Sequence, residues 1–168
     1  MREGAPVNLA VLPWPPKACQ PNARVHYLQR HREGKAYAAL ASYHGQGQQR
    51  LLLPVLAILP VVKDQRRRDL DNALAGLKSA LDGLTRSGWW NDDSDIVRIV
   101  IQPALRVGKT LERNSVIIMA VEQGTSDGSE DLITQIRFNL THSDNINQTL
   151  RSKSCLISLN NPTPNPPK

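Results

Sequence analysis

Two carboxylates stand close together in a highly charged stretch near the middle of the chain. Asp69 and Asp71 belong to the stretch 63–72, which also holds three consecutive arginines. In an extended backbone, residues i and i+2 point to the same side, so both carboxylates would face one point. Such a pair repels itself unless a cation neutralises it, and Mg²⁺ prefers oxygen ligands. The pair predicts a divalent-metal site. The alternative is structural, with Asp71 capping a helix and Asp69 paired with an arginine.

A second acidic group, residues 91–95, follows the segment that comes after this pair. If the strands on either side of that segment are neighbours in a sheet, Asp92 or Asp93 can reach Asp69 and Asp71. Three or four converging carboxylates need a metal to offset their repulsion. Mg²⁺ held in this way hydrolyses phosphodiesters by activating a water and stabilising the leaving oxygen. A solvated acidic turn is the alternative interpretation of residues 91–95.

Cationic side chains are concentrated near the N-terminus and directly before Asp69. An exposed basic face with interspersed aromatic residues is typical of phosphate binding, although a merely solvated surface has the same composition. The tryptophan pair Trp89–Trp90 is expected to pack beneath the acidic loop or in a dimer interface. The predicted DNA-binding residues are Arg24, Arg30, Arg32, Lys35, Arg66, Arg67 and Arg68.

Composition agrees with an anionic partner. The 168 residues carry a formal net charge of +6, which favours a nucleic acid or an acidic membrane surface. The longest apolar run, residues 51–62, contains two prolines and is shorter than the roughly 20 residues that a spanning helix needs. We therefore expect no membrane segment. With no secretory signal and no disulfide framework from its two cysteines, the chain is expected to be cytoplasmic.

Apolar periodicity predicts the elements that must position these residues. Leucines at 74, 77, 81 and 84 recur at helical spacing, and β-branched runs mark the strands. The last two strands are expected to form a hairpin. The order of elements predicts an α/β fold, a small mixed sheet with helices packed on it. The predicted elements are a strand over 7–12, a helix over 34–43, a strand over 55–62, a helix from Asp71 or Asn72 to 86, and strands over 96–105 and 115–121.

The C-terminal part has a different composition. Residues 124–168 are rich in Ser, Thr, Asn, Gln and Pro and contain a single aromatic residue, Phe138. Such a segment buries little apolar surface to offset its ordering entropy. We predict one domain over residues 1–123, followed by a mostly disordered tail over 124–168. A short helix or strand around Leu132–Leu140 is the alternative for part of this tail.

Four segments in one order resemble the RusA-type Holliday junction resolvase family. They are Leu12–Pro16, Pro21–Tyr27, Arg66–Asn72 and Leu81–Asp93 with its Trp-Asn-Asp-Asp end, and together the resemblance covers about residues 7–122. The resemblance implies a small homodimeric α/β endonuclease, often encoded by a phage or prophage. It implies that the chain binds four-way DNA junctions in recombination and repair and cuts them by paired nicks with Mg²⁺, for which Mn²⁺ can substitute.

The resemblance also implies roles for individual residues. Asp69, Asp71 and Asp93 take the metal-binding and catalytic positions, with Asp92 as their neighbour. Lys78 takes the position of the family's helix lysine, although it lies seven residues after Asp71 and therefore further along the helix than in the best-known members. Seven residues keep it on the same helix face. A solvated helix lysine is the alternative.

A protein from another functional class would share the basic face without the chemistry. A catalytically inactive DNA- or junction-binding accessory protein of prophage origin needs the cationic residues but not Asp69, Asp71 and Asp93 together. Retention of all three favours the enzyme. A phosphatase or glycosyltransferase motif at Asp69–Asp71 is disfavoured, because three arginines rather than an apolar strand directly precede it.

Overall fold

A five-stranded mixed sheet with two long helices on one face forms the fold. The computed structural model describes residues 7–64, 69–107, 113–124, 133–134, 136–138, 140–142 and 146–151. Residues 133–134, 136–138 and 140–141 are helical, and single 3₁₀ turns cover Lys17–Cys19 and Asp93–Asp95. The remaining elements are β1 (Val7–Pro13), α1 (Tyr27–Gly45), β2 (Pro54–Val62), α2 (Leu70–Arg86), β3 (Arg98–Ile101), β4 (Leu105–Arg106), β5 (Ser115–Glu122) and α3 (Ile146–Arg151).

The last long strand lies inside the sheet. The strand order is β1-β5-β2-β3, with β4 also paired to β2. β5 is antiparallel to both β1 and β2, whereas β3 and β4 run parallel to β2. The predicted α/β class is confirmed, but the predicted hairpin is wrong, because β3 and β4 lie on the opposite side of β2 from β5. Seven of the eight residues of β5 are buried, and a strand buried on both faces belongs at the sheet interior.

Both long helices cover the same face of the sheet and run in the same direction. An added Cβ at Gly34 would lie 3.0 Å from the Ser79 hydroxyl, and one at Gly83 would lie 2.2 Å from the Ala38 carbonyl oxygen. Further along, the same atom at Gly45 would lie 2.3 Å from the Ser87 hydroxyl. Residues further along α1 therefore contact residues further along α2, so the two helices are parallel. Both helices begin at the end of the sheet where the C-termini of β1 and β2 lie.

Helix α1 begins earlier than its apolar pattern predicts. It starts at Tyr27 rather than at residue 34, and residues 27–32 are all exposed, so they give no periodic signal. His26 caps the helix, since its Nδ1 accepts the Leu28 N–H at 3.3 Å. For α2, the predicted apolar positions Leu77, Leu81 and Leu84 are buried, whereas Leu74 is partly buried against the same core. The helix ends before Ser87.

The second face of the sheet is covered by the C-terminal segment. Buried Ile133, Ile136 and Leu140 pack with sheet residues Leu59 and Met119 in one apolar cluster, which Ile146 and Leu150 complete. The expectation of a mostly disordered tail therefore does not hold for the described residues between 133 and 151. In the described part, the alternative of a short helix around 132–140 is the one observed. Spacings of three and four residues between the isoleucines and the leucine form an amphipathic face, which keeps this sheet face out of water. The boundary at residue 123 stays a prediction.

No helix in the described ranges has the length and apolarity required to cross a bilayer.

Because Ile136 is 1% exposed, removing its side chain should weaken the docking of this segment. We expect Ile136→Ala to lower the free energy of unfolding by about 2–4 kcal/mol, the usual cost of such a cavity. Urea denaturation measures this loss. Thr134→Ala, on the exposed face of the same segment, is the matched control and should stay within about 0.5 kcal/mol of wild type. Equal stability of the two variants would mean that the segment does not pack on the sheet in solution.

Candidate metal-site carboxylates and nucleic-acid interface

Asp69 and Asp71 both lie at the first turn of α2. Asp69 is the N-cap: its Oδ1 accepts the Asp71 N–H at 3.1 Å, and its Oδ2 accepts an Asn72 Nδ2–H at 2.8 Å. The predicted cap, Asp71 or Asn72, is therefore displaced by two or three residues to Asp69. Asp71 is exposed in the first turn. Both carboxylates sit at the positive end of the helix dipole, which favours negative charge.

The loop after β1 reaches the same helix start. Asn22 Nδ2 donates to Asn72 Oδ1 at 3.4 Å, so this loop lies next to the cap of α2. Further down the helix, an added Cβ at Gly76 would lie 3.1 Å from Pro15, and only a glycine allows so close an approach without a shift. Sequence reasoning named Asn72 only as a possible helix cap and gave Asn22 no role, because an amide shows its partner only after folding.

Predicted phosphate-binding residues lie in this loop and in the first turns of α1. Arg24, Arg30, Arg32 and Lys35 are all exposed. Arg30 also stabilises the loop, since its Nη2 donates to the Ala23 carbonyl at 2.8 Å. Since both helices begin at one edge of the sheet, these cations lie at the same end of the protein as Asp69. Arg66, Arg67 and Arg68 lie outside the described residues.

The second acidic group forms a tight turn. Asp92 Oδ1 accepts the Ser94 N–H at 2.9 Å and the Ser94 hydroxyl at 2.7 Å. These two hydrogen bonds, the hydroxyl's first, lower the pKa of Asp92. Asp95 Oδ2 accepts the N–H groups of Asn91 and Asp92 at 3.1 and 3.2 Å. Asp92 and Asp95 thus stabilise the turn itself.

Asp93 points towards the end of α2 instead. Its Oδ1 accepts the Thr85 hydroxyl at 2.9 Å, and the same hydroxyl also contacts the Leu81 carbonyl at 3.1 Å. Thr85 lies one residue before the end of α2. Asp93 is therefore the carboxylate of this turn that the helix orients, and Thr85 is a positioning residue that sequence reasoning missed.

The two acidic groups occupy opposite ends of α2. Thr85 follows Asp69 by 16 residues, which corresponds to about 24 Å of helix. The described residues contain no group of three or more His, Cys, Asp or Glu side chains that could hold a metal ion. The expectation that Asp92 or Asp93 reaches Asp69 and Asp71 within one chain is wrong. β2 and β3 are indeed neighbours, but they are parallel. The C-terminal end of β2 and the N-terminal end of β3 therefore lie at opposite ends of the strands.

Lys78 lies midway along this helix. It is exposed, and seven residues separate it from both Asp71 and Thr85, or about 10 Å of helix axis in each direction. The structure thus places it directly beside neither acidic group. Its assignment to the phosphate stays a prediction.

The tryptophan pair connects the acidic turn to the core. Trp89 and Trp90 are 0% and 1% exposed and meet edge-on, with ring centroids 5.9 Å apart. Trp89 Nε1 donates to the Gly45 carbonyl at 2.9 Å. Of the two predicted roles, burial in the core of one chain agrees with packing beneath the acidic loop rather than in a dimer interface. This pair fixes the start of the turn against the ends of both long helices.

Comparison with known proteins identifies the family of this chain. The family model described as Endodeoxyribonuclease RusA matches residues 18–119, which include both acidic groups and α2. The chain belongs to the RusA endodeoxyribonuclease family. RusA-type membership confirms the resemblance drawn from the four sequence segments, and it makes this chain a nuclease by family. Residues after 119, including the segment that covers the second sheet face, lie outside the RusA match.

Individual RusA relatives give the same result. Crossover junction endodeoxyribonuclease RusA of Escherichia coli (strain K12) is 37% identical over 109 residues, which covers 58% of this chain and 85% of the relative. The protein of the same name from Enterobacteria phage 82 is 36% identical over 112 residues, with the same coverage. That from Shigella sonnei (strain Ss046) is 33% identical over 115 residues. The phage relative agrees with the predicted prophage connection.

The position of the cap yields a stability prediction. Asp69→Ala should lower the free energy of unfolding by about 1 kcal/mol, because the N–H of Asp71 loses its acceptor. Asp71→Ala, two residues away, should cost clearly less, since only its attraction to the helix dipole is lost. Urea denaturation of both variants compares the two costs. A larger loss for Asp71→Ala would transfer the capping role to Asp71.

Proposed function

We propose that this chain is a Mg²⁺-dependent endodeoxyribonuclease that resolves four-way DNA junctions by paired nicks and acts as a homodimer. The observation that carries the proposal is the RusA family match, whose residue range contains Asp69, Asp71 and Asp93. The relatives' own name, crossover junction endodeoxyribonuclease, supplies the substrate. The exposed cations at the start of α1 and the net charge of +6 support a DNA partner.

The homodimer follows from the separation of the carboxylates. One straight helix keeps Asp69 and Asp71 away from Asp93, so a complete set of three needs two copies. A twofold axis that crosses α2 sets the helices of two copies antiparallel. Asp69 and Asp71 of one copy then meet Asp93 of the other at both ends at once. Two identical sites related by one axis suit two opposed cuts in a symmetric junction.

Exposed apolar residues near edge strand β3 support the surface around α2 and β3 as the contact between the two copies. Val97, directly before the edge strand β3, and Ile99, within it, are 45% and 37% exposed. Both follow Asp93 closely in the chain, so they lie on the side of the protein that this arrangement brings to the second copy. Exposed apolar residues on an edge strand favour association.

Asp69 and Asp71 of one copy and Asp93 of the other would hold the metal. Mg²⁺, or Mn²⁺ in its place, would supply an activated water and stabilise charge on the leaving oxygen. Thr85 positions the carboxylate of Asp93. Asp92, whose Oδ1 accepts two hydrogen bonds from Ser94, is the less available ligand. Arg24, Arg30, Arg32, Lys35 and Arg66–Arg68 contact phosphates, which sets register without reading sequence.

A second candidate is the catalytically inactive DNA-binding accessory protein. The absence of a metal-binding group among the described residues of one chain favours it, because a copy that stays monomeric would bind DNA without cutting. Activity and association state together distinguish the two functions.

A cleavage assay tests the proposal directly. The purified full chain is incubated with a synthetic mobile four-way junction and, separately, with a linear duplex of matching sequence, in Mg²⁺ or in chelator. We expect symmetric paired nicks in the junction with Mg²⁺ only. Binding of the junction without any cut would favour the accessory protein, and equal cutting of the duplex would exclude junction resolution.

Subunit mixing tests the shared site. Asp71→Asn and Asp93→Asn chains should each be inactive, while junction affinity stays equal or rises, because a lost carboxylate repels phosphate less. Co-expressed, half of the dimers would be mixed, and each mixed dimer would retain one intact site. Single nicks should therefore return to about a quarter of the wild-type rate.

The control for subunit mixing is native mass spectrometry, which confirms that mixed dimers form. Mixed dimers that remain inactive would mean that the three aspartates do not share a site between copies. Asp82→Asn, a carboxylate elsewhere on α2, should cut at the wild-type rate.

The role of Lys78 is open to a kinetic test. If its ammonium reaches the scissile phosphate, Lys78→Ala should slow single-turnover cleavage by about 10² with little change in junction affinity. Alanine is a strong helix former, so the variant keeps the helix intact. A rate within about threefold of wild type would remove Lys78 from the site and leave Arg66–Arg68 as the phosphate contacts.

A further inference from the structure

An exposed aromatic ring lies at the start of α1. Tyr27 is the first residue of this helix, and its side chain is 71% exposed. Its ring centroid lies 4.7 Å from that of His26, with the two planes tilted by 40°. His26 is held as the cap of α1, because its Nδ1 accepts the Leu28 N–H. Tyr27 therefore presents its ring to solvent from a position that the helix cap orients.

The packing of the two long helices sets Tyr27 level with the start of α2. Gly34 of α1 lies against Ser79 of α2. Seven residues earlier, or about two helical turns, the same register brings Tyr27 to the level of Asn72 and keeps it on the side of α1 that faces α2. The hydrogen bond from Asn22 to Asn72 supports this register, because it brings the chain just before α1 to the same point. Tyr27 thus lies beside the end of α2 that carries the first acidic pair.

The ring remains accessible at this level because α2 is only beginning and covers little of it. Basic side chains continue the same row of α1, since His31 and Lys35 follow Tyr27 at intervals of four residues and both are exposed. Arg24, also exposed, lies in the loop just before the helix. Basic residues that alternate with an aromatic ring are typical of nucleic-acid surfaces, where cations contact phosphates and the ring stacks on a base.

An accessible base face distinguishes branched DNA from linear DNA. Inside a linear duplex, each base pair is stacked on both sides, whereas pairs at the meeting point of four arms can lose one neighbour. An aromatic side chain stacks on such a free face whatever the base is. We propose that Tyr27 stacks on an unstacked base at the branch point and so selects four-way junctions over linear duplexes. This inference rests on the proposed function, which supplies the branched substrate.

Equilibrium binding of the full chain in chelator tests the inference without any cleavage. Fluorescence anisotropy gives the Kd for a four-way junction and for a linear duplex of matching sequence at one salt concentration. We expect Tyr27→Ala to weaken junction binding about tenfold, a loss typical of one stacked base, and to leave duplex binding unchanged. Tyr27→Phe keeps the ring and should bind as wild type does.

Tyr43→Ala is the matched control. Tyr43 is also 71% exposed on α1 and also lies next to a histidine ring, but it belongs to the far end of the helix. This variant should bind both DNAs as wild type does. Circular dichroism confirms that each variant is folded.

A fluorescent base locates the contact. 2-Aminopurine replaces an adenine beside the branch point of a junction whose branch point is fixed by its sequence, and in a second junction it lies in the middle of one arm. Saturating wild-type protein should change the fluorescence at the branch point and not in the arm. Saturating Tyr27→Ala should lose most of this change, because the stacking ring is gone.

The outcomes separate this inference from the proposed function. Equal junction affinity of Tyr27→Ala and wild type would overturn the inference and leave the proposed function standing. Equal losses in Tyr27→Phe and Tyr27→Ala would also overturn it, because the hydroxyl rather than the ring would then make the contact. So would equal weakening of junction and duplex binding, which would make Tyr27 a general DNA contact. Wild-type protein that binds the junction no better than the duplex would remove the proposed function and this inference together.

Discussion

Close contact between α1 and α2 determines where the described candidate site residues of this protein lie. Gly83 of α2 packs directly against the backbone of Ala38, with room for no side chain between them. This contact holds two parallel helices side by side on one face of the sheet. Both helix starts are thereby fixed at the edge where β1 and β2 end. Arg24 and the cations of α1 lie at the same end as Asp69 for this reason, although between 34 and 45 residues separate them from it in sequence.

The same helix packing separates the carboxylates. Helix α2 runs along the sheet from one end of the strands to the other. At its C-terminal end, Trp89 and Trp90 anchor the turn that carries Asp93. Asp69 and Asp71 stay at the near end. A rigid helix cannot bring its two ends together, so in the proposed enzyme Asp69, Asp71 and Asp93 would form one site only between two molecules. In this proposal, association of two copies controls catalysis directly, because a monomer has the DNA-binding face but no complete metal site.

The individual helices and strands could largely be predicted from local sequence. Their arrangement in the sheet, and with it the geometry of the candidate site, depended on how the elements pack together. The leucines of α2 and the strand of residues 54–62 follow from spacing and apolarity, which act locally. Placement of β5 depends on which strand edges are free, and no local pattern encodes that. The error over Asp93 has a different origin. Two neighbouring strands joined by a helix are parallel, so the second strand begins at the opposite end of the sheet from the end where the first strand finishes. The adjacency of β2 and β3 therefore argued against convergence of the two acidic groups rather than for it.

The C-terminal segment restricts where a second copy can dock. It buries the sheet face that contains Leu59 and Met119, and the other face is already covered by α1 and α2. Neither sheet face is therefore open to a partner, and the outer surface of α2 and the edge at β3 are among the surfaces that stay exposed. These are the surfaces that carry Asp71, Lys78 and the exposed Val97 and Ile99. Folding of a segment outside the RusA match would thus favour the one association that completes the carboxylate set, because it removes the competing apolar face.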